Sequence, residues 1–257
     1  MKSAYLTIDD SPSLDMPQKV DFLYRNNIPA VFFCRGDFME KHPDFILDTI
    51  KKGYPIANHS YSHPHFSDID IEQVYQEIKQ TDEIIDQLYE QSGVVRPARW
   101  FRFPFGDKGD GRYGKVLEPL RDKKGIDRRN IIQAILRGMG YTQPHFPAIS
   151  YRYFHHAGLA VDVDWHWTYD TMEWSMSLKK PLPGLQSLSD LVKRMEEEAP
   201  KDPRGEVTTA EARWLQSTSD EIILLHDHTE TSEIFEGIIE AYRRKGIQFL
   251  PFEPLFD

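Results

Sequence analysis

Thr7-Ile8-Asp9-Asp10-Ser11-Pro12 is the stretch on which the reading of this chain turns. Tyr5, Leu6 and Ile8 are strand formers, and Ser11-Pro12-Ser13 stops the strand abruptly. Two carboxylates therefore end a first, buried strand, where α/β folds place their chemistry. Adjacent side chains on extended backbone point to opposite faces. One aspartate is thus expected to bind a metal and the other to move protons.

Strands and helices alternate from there to the end of the chain. Asp15 is expected to cap a helix to Asn26, with Pro17 in its first turn and Val20, Leu23 and Tyr24 on one face. A strand at 29–34, a helix at 37–52 and a short strand at 55–57 lead into His59-Ser60-Tyr61-Ser62-His63-Pro64-His65. Ser67-Asp68 opens the longest helix, to about Tyr89, with Ile71, Val74, Ile78, Ile84, Ile85 and Leu88 at helical spacing. A strand at 99–103 ends at Pro104-Phe105-Gly106, and 107–125 reads as loop. Asn130 is expected to cap a helix ending near Gly138, followed by a helix at 149–156 and a strand at 159–169. A helix at 189–198, a loop around Pro203-Gly205, a strand at 222–225, a helix at 232–245 and a strand at 247–250 complete the chain. The alternation predicts a parallel, barrel-like α/β sheet in a single domain.

Composition narrows the functions. A formal charge of −10 argues against nucleic acid as a partner, since phosphate backbones need a basic face. One cysteine, Cys34, permits no internal disulfide and reads as a buried small hydrophobe. No apolar run reaches the ~20 residues of a membrane span. With its first strand starting at about Lys2, the chain is expected to be cytoplasmic, with export only if a leader segment is missing.

Asp9/Asp10, the histidine cluster, Arg102 and His226 all sit at strand ends, which converge on one face if the strands are parallel. One carboxylate and two histidines make a sensible site for a zinc-like ion with open positions. His59 and His63 are spaced to reach one ion; His65 is the substitute if His63 points away, and His228 competes with His226.

Five motifs, in order and over nearly the whole chain, resemble the NodB-type polysaccharide deacetylases of carbohydrate esterase family 4. Thr7-Ile8-Asp9-Asp10-Ser11-Pro12 resembles the first, with Ser11 where glycine is usual. His59-Ser60-Tyr61-Ser62-His63 matches the second, and Arg102-Phe103-Pro104-Phe105-Gly106 is similar to the third, with Phe105 where tyrosine is common. Asp170-Thr171-Met172-Glu173-Trp174 resembles the fourth, Glu173 replacing the usual aspartate, and Leu224-Leu225-His226 matches the fifth. Asp164-Trp165 is a rival for the fourth motif, but Asp170 and Trp174 keep the family spacing.

The resemblance implies a distorted (β/α)7-type barrel over 1–257, with a loop-helix insertion at about 107–157 between the third and fourth motifs. It implies that Asp10, His59 and His63 bind one divalent ion; zinc is the default, and cobalt, nickel or manganese would serve. Asp9 would be general base, held by Arg102, with Asp170 tuning that pair. His226 would be general acid, the Phe105 N–H would face the oxyanion, and Leu224 and Trp174 would shape the acetyl pocket. The implied substrate is an acetylated oligosaccharide or polysaccharide, with N-acetyl preferred to O-acetyl, turned over by a monomer or small homo-oligomer. Competing readings are a carbon–nitrogen hydrolase of small amides or cyclic imides, phosphoryl transfer by Asp9, and a non-catalytic glycan-binding module. Arg121, Lys123, Lys124, Arg128 and Arg129 make the segment locally basic, either as a solvated loop or as a flap for an anionic glycan.

Overall fold

The computed structural model describes residues 2–198, 200 and 214–256; the expected loop around Pro203-Gly205 lies outside them. Its strands are β1 (Lys2–Ser11), β2 (Val31–Cys34), β3 (Ile56–Asn58), β4 (Tyr169–Asp170), β5 (Glu221–His226) and β6 (Ile247–Phe249). Its α-helices are α1 (Met16–Arg25), α2 (Gly36–Met39), α3 (Pro43–Lys51), α4 (Ile71–Ser92), α5 (Lys123–Gly138), α6 (Arg152–His156), α7 (Leu188–Met195) and α8 (Ser232–Arg244). The sheet runs β3-β2-β1-β5-β4, with β6 beside the start of β1, and every pairing is parallel.

Side-chain alternation sorts these strands into two faces. Leu6, Ile8, Phe32, Cys34, Ile56, Ile223 and Leu225 pack with α1, α3, α7 and α8 residues in one core. Tyr5, Val31, Phe33, Ala57 and Ile222, one step out of phase, form a second core with Trp100, Trp165 and Phe252 inside the barrel. On that inner face of β1, Tyr5 is followed by Thr7 and Asp9 near the strand's C-terminal end.

The barrel closes without regular strands. Phe101 forms a single parallel bridge with Asn58, and the Asn58 N–H donates to the Trp100 carbonyl at 2.9 Å. Trp165 N–H then donates to the Phe101 carbonyl at 2.8 Å, and Thr168 N–H to the Ile222 carbonyl at 2.9 Å. This irregular closure replaces two expected strands, 99–103 and 159–169. Over 157–164 the chain turns instead, because Lys108 pairs with Asp162 and Asp164 at 2.6 and 2.8 Å and the Val163 N–H is taken by the Gln133 side chain at 2.9 Å. Only Tyr169 and Asp170 remain to pair with β5.

Helix boundaries move for local reasons. Asp70, not Ser67-Asp68, caps α4, in a reciprocal box with Gln73 at 2.8 and 3.0 Å. Asp122, not Asn130, caps α5 through the Gly125 N–H at 2.8 Å, so the loop ends earlier than expected. The expected helix at 37–52 breaks into α2 and α3, Pro43 starting the second. Asp15 makes no capping bond and accepts from Ser232 instead, while Tyr24 is exposed. The 149–156 helix shrinks to α6 and the 189–198 helix to α7.

Candidate metal centre and active site

At the C-terminal end of β1 the alternation of side chains fails, and the failure makes the site. Asp9 points inward and is buried, its Oδ1 accepting from Arg102 Nη1 at 2.7 Å. Asp10 adopts φ 64°, in the left-handed region that non-glycine residues enter only under constraint. Its carboxylate turns to the mouth of the barrel instead of the helix layer. Asp10 Oδ1 lies 3.1 Å from His63 Nε2 and 3.6 Å from His59 Nε2, while Asp9 Oδ2 is 3.7 Å from His59 Nε2.

The two histidines arrive from the end of β3. Asn58 fixes that strand end: its amide donates to the Ile78 carbonyl at 2.9 Å and to the Tyr141 hydroxyl at 2.6 Å, and its oxygen accepts from the Ser60 N–H at 2.8 Å. His59 then turns inward, Nδ1 at 2.8 Å from the Arg102 carbonyl, which as an acceptor sets Nδ1 as the protonated nitrogen and leaves Nε2 free for an ion. His63 sits on a loop gripped by Glu77 of α4, whose carboxylate accepts from Tyr61 N–H, Ser62 N–H and the Ser62 hydroxyl at 2.9, 2.8 and 2.6 Å. Ser60 and His63 also have positive φ, 65° and 62°.

Asp10, His59 and His63 are the group among the described residues able to hold a metal, with ligand atoms within 4.8 Å of one another. Their chemistry fits a borderline cation. Burial holds the His59 ring down at about 4 despite Asp9 and Asp10 nearby, so it is neutral at physiological pH. Burial opposes charge on Asp10, but His63, His228 and His226 outweigh it and keep its carboxyl well below the usual range. Asp10 Oδ1 is buried with no hydrogen-bond partner, an acceptor aimed at the space between the rings.

Arg102 is fully buried, bonded to Thr7 Oγ1 and Asp9 Oδ1 at 2.7 Å each and lying over the Phe33 ring at 4.3 Å. Asp170 makes no hydrogen bond to that pair. Its oxygens accept from the Met172 N–H at 2.8 Å and the Trp174 indole at 3.2 Å, and burial raises its pKa. Asp170 influences Arg102 only through its charge.

Asp9 and His226 are register partners on neighbouring strands, so both face the mouth. Glu173, which in the fourth motif stands only as a replacement for aspartate, is the residue that engages His226. Its Oε1 accepts from His226 N–H at 2.5 Å and lies 2.9 Å from the ring Nδ1. Burial disfavours the charged ring, yet the Glu173 bond and charge, with Asp10 and Asp170, raise its pKa to about 10. His228 takes a different partner, its Nε2 lying 2.8 Å from Asp10 Oδ2.

Leu224 is buried one step below His226 by alternation, opposite Thr7 and Asp170. Phe105 flanks the mouth, half exposed at φ 56°, against His63 and His65 with ring centroids at 4.4 and 4.1 Å. Gly106 at φ 64° is required there, since a Cβ would stand 2.8 Å from the Trp167 ring. His65 stays outside the ligand group and pairs with Asp107 at 3.3 Å. Of the five basic residues of this segment, Lys123 pairs with Asp127, Arg128 donates to the Phe66 and Ile69 carbonyls, and Arg129 pairs with Asp162. No helix among the described residues is long and apolar enough to cross a membrane.

A family model for polysaccharide deacetylase matches residues 1–118, which hold the first three motifs. A chitooligosaccharide deacetylase of Rhizobium leguminosarum bv. trifolii is 34% identical over 100 residues, covering 38% of this chain and 46% of that protein. A peptidoglycan-N-acetylglucosamine deacetylase of Bacillus cereus is 33% identical over 103 residues, covering 40% of this chain and 36% of that one. The aligned stretch thus spans less than half of either relative. Among solved structures, a family 4 carbohydrate esterase from Streptomyces lividans in complex with acetate superposes with TM-score 0.58 at 20% identity, covering 98% of this chain and 94% of that one. A family 4 pseudoenzyme from Bacillus anthracis does so with TM-score 0.59 at 18% identity, covering 100% of this chain and 66% of that one. These superpositions establish the α/β fold with its parallel sheet in a distorted barrel.

Proposed function

We propose that this chain, which belongs to the polysaccharide deacetylase family, is a metal-dependent hydrolase that removes N-acetyl groups from an oligosaccharide or polysaccharide. One observation carries the reading. Asp9 is pinned by Arg102 beside the Asp10–His59–His63 group without being consumed by it, and the Glu173-held His226 stands on the next strand in register.

In this reading Asp10, His59 and His63 hold the divalent cation, zinc by ligand type. Such a cation, when bound, would supply Lewis acidity to the acyl carbonyl and to water. Asp9 is the general base: Arg102 fixes Oδ1, leaving Oδ2 to take the proton of the attacking water. The Phe105 N–H donates to the developing oxyanion, a contact typically worth about 3–4 kcal/mol. His226, kept protonated by Glu173, delivers its proton to the leaving group. An amine leaves only when protonated, so a firmly charged acid at this position supports amide over ester cleavage. Leu224 and Trp174 line the acetyl pocket, and Asp170 acts by orienting Trp174 through the indole N–H. We take 1–257 as one catalytic domain in which 107–157 is inserted and braces the turn at 162–164 through Lys108 and Arg129.

Acetate release from chitooligosaccharides, acetylxylan and peptidoglycan fragments, with and without chelator, tests the proposal. Turnover should appear on an N-acetylated glycan, vanish with chelator and return with zinc. Asp9→Asn should keep the ion and lose about 10²–10⁴ in rate. Glycan binding without acetate release at any metal loading would instead favour a non-catalytic module. Turnover of small imides alone would favour the other hydrolase class.

A further inference from the structure

We propose that His228 is a positioning residue of the metal centre: it clamps Oδ2 of Asp10 so that Oδ1 alone is presented to the cation. This rests on the reading that Asp10, His59 and His63 bind a divalent ion.

The two oxygens of Asp10 are in different circumstances. Oδ2 is 2.8 Å from His228 Nε2, a direct hydrogen bond. Oδ1 faces His63 and His59 at 3.1 and 3.6 Å and is buried without a hydrogen-bond partner. A carboxylate can only accept, so His228 Nε2 carries the proton and donates it. That nitrogen is then spent and cannot ligate the ion itself.

The clamp answers a local need. Asp10 sits at φ 64° in the stretch where the register of β1 against β2 shifts, so regular pairing does not set its orientation. An unrestrained carboxylate rotates and can chelate through both oxygens, filling a position that substrate and water require. Donation to one oxygen holds the plane of the group and leaves one ligand atom, as outer partners do for other metal-binding carboxylates.

His228 is itself firmly mounted on the segment that carries Asp10. Asp227 N–H donates to the Asp9 carbonyl at 2.8 Å. The buried Asp227 carboxylate pairs with Lys19 Nζ at 2.6 Å and accepts from Ser13 N–H and Ser13 Oγ at 2.7 Å each. Lys19 Nζ also donates to the His228 carbonyl at 2.9 Å, and Thr231 Oγ1 donates to the same oxygen at 3.1 Å. The loop after β5 is thus stitched to the loop after β1. The two histidines of His226-Asp227-His228 divide the labour: ring centroids 5.3 Å apart, one is bound by Glu173 and the other holds Asp10.

The test is a zinc competition titration of the full chain against a chromophoric chelator, with cobalt absorption spectra as second readout. His228→Ala and the space-filling His228→Phe should each weaken zinc binding about 10–100-fold. His228→Gln, which keeps an N–H donor, should recover most of the affinity, and its cobalt bands should coincide with those of the unaltered chain. The phenylalanine variant keeps the test decisive if His228→Ala fails to fold. Equal affinity in all variants would overturn the clamp. So would a shifted cobalt spectrum with no recovery in glutamine, which would make His228 a direct ligand. If the unaltered chain binds no zinc, the metal-centre reading falls and the clamp with it, a result distinct from zinc binding that ignores His228.

Discussion

Replacing Glu173 with glutamine isolates what its charge does. Glutamine keeps an oxygen to accept from the His226 N–H and ring Nδ1, bonds that are 2.5 and 2.9 Å in the unaltered chain. What is lost is the negative charge that, together with Asp10 and Asp170 and against the cost of burial, raises His226 from 6.5 to about 10. That gap is on the order of 5 kcal/mol in favour of the charged ring. His226 must be protonated to act as acid, so the alkaline limb of kcat/KM should fall towards the free-imidazole value of ~6.5. If the limb falls fully to that value, about one ring in a hundred carries the proton at pH 8.5, so activity relative to pH 6 should drop by up to nearly that factor, and by less to the extent that Asp10 and Asp170 still hold the proton. The assay is a kcat/KM profile from pH 5.5 to 10 on both proteins. Linkage gives a second readout with a definite sign. Because the folded pKa lies above the unfolded one, the stabilisation is complete below 6.5 and is lost as pH rises towards about 10. In the variant this decline in melting temperature should flatten. Superimposable alkaline limbs would refute the claim that Glu173 holds the proton on His226.

Glu77→Leu removes three bonds to the loop carrying His63. Zinc affinity should fall by about tenfold or more while the fold persists, and an unchanged chelator titration would count against the loop's dependence on Glu77. Lys108→Met leaves Asp162 and Asp164 short of a cation that is 1% exposed and within 2.8 Å of both. It should cost about 3–5 kcal/mol in urea unfolding, and an unmoved midpoint would contradict that. Arg121 and Lys124 are exposed, so their joint replacement by serine should leave KM unaltered; a several-fold rise would revive the basic flap for an anionic glycan.

Much of the architecture is visible in the chain as written. The apolar runs of β1 and β5 and the helical spacing on α4 are local patterns, and local patterns survive into the fold. Motif order, too, is a property of the string, which is why Asp9, Asp10, His59, His63, Arg102 and His226 can be gathered from the amino-acid sequence alone. The closure of the barrel is not visible in this way. Residues 159–169 alternate as a strand should, yet Lys108 and Gln133, far away in sequence, draw 162–164 out of the ladder.

The same division runs through the site. Sequence by itself determined which side chains stand at the ends of β1, β3 and β5, because apolar runs broken by polar residues mark where strands stop. Only the tertiary structure decided what each one touches. Strand parity would send Asp10 into the helix layer, and its positive φ, with His228 and His63 against it, turns it to the mouth. Asp170 and Glu173 are three apart on an irregular turn through Met172 at φ 64°, so no period could tell which of them reaches His226. Hydrogen bonds between carboxylates and rings more than fifty residues apart depend on where the backbone brings them, and that is fixed by the packing of the whole barrel.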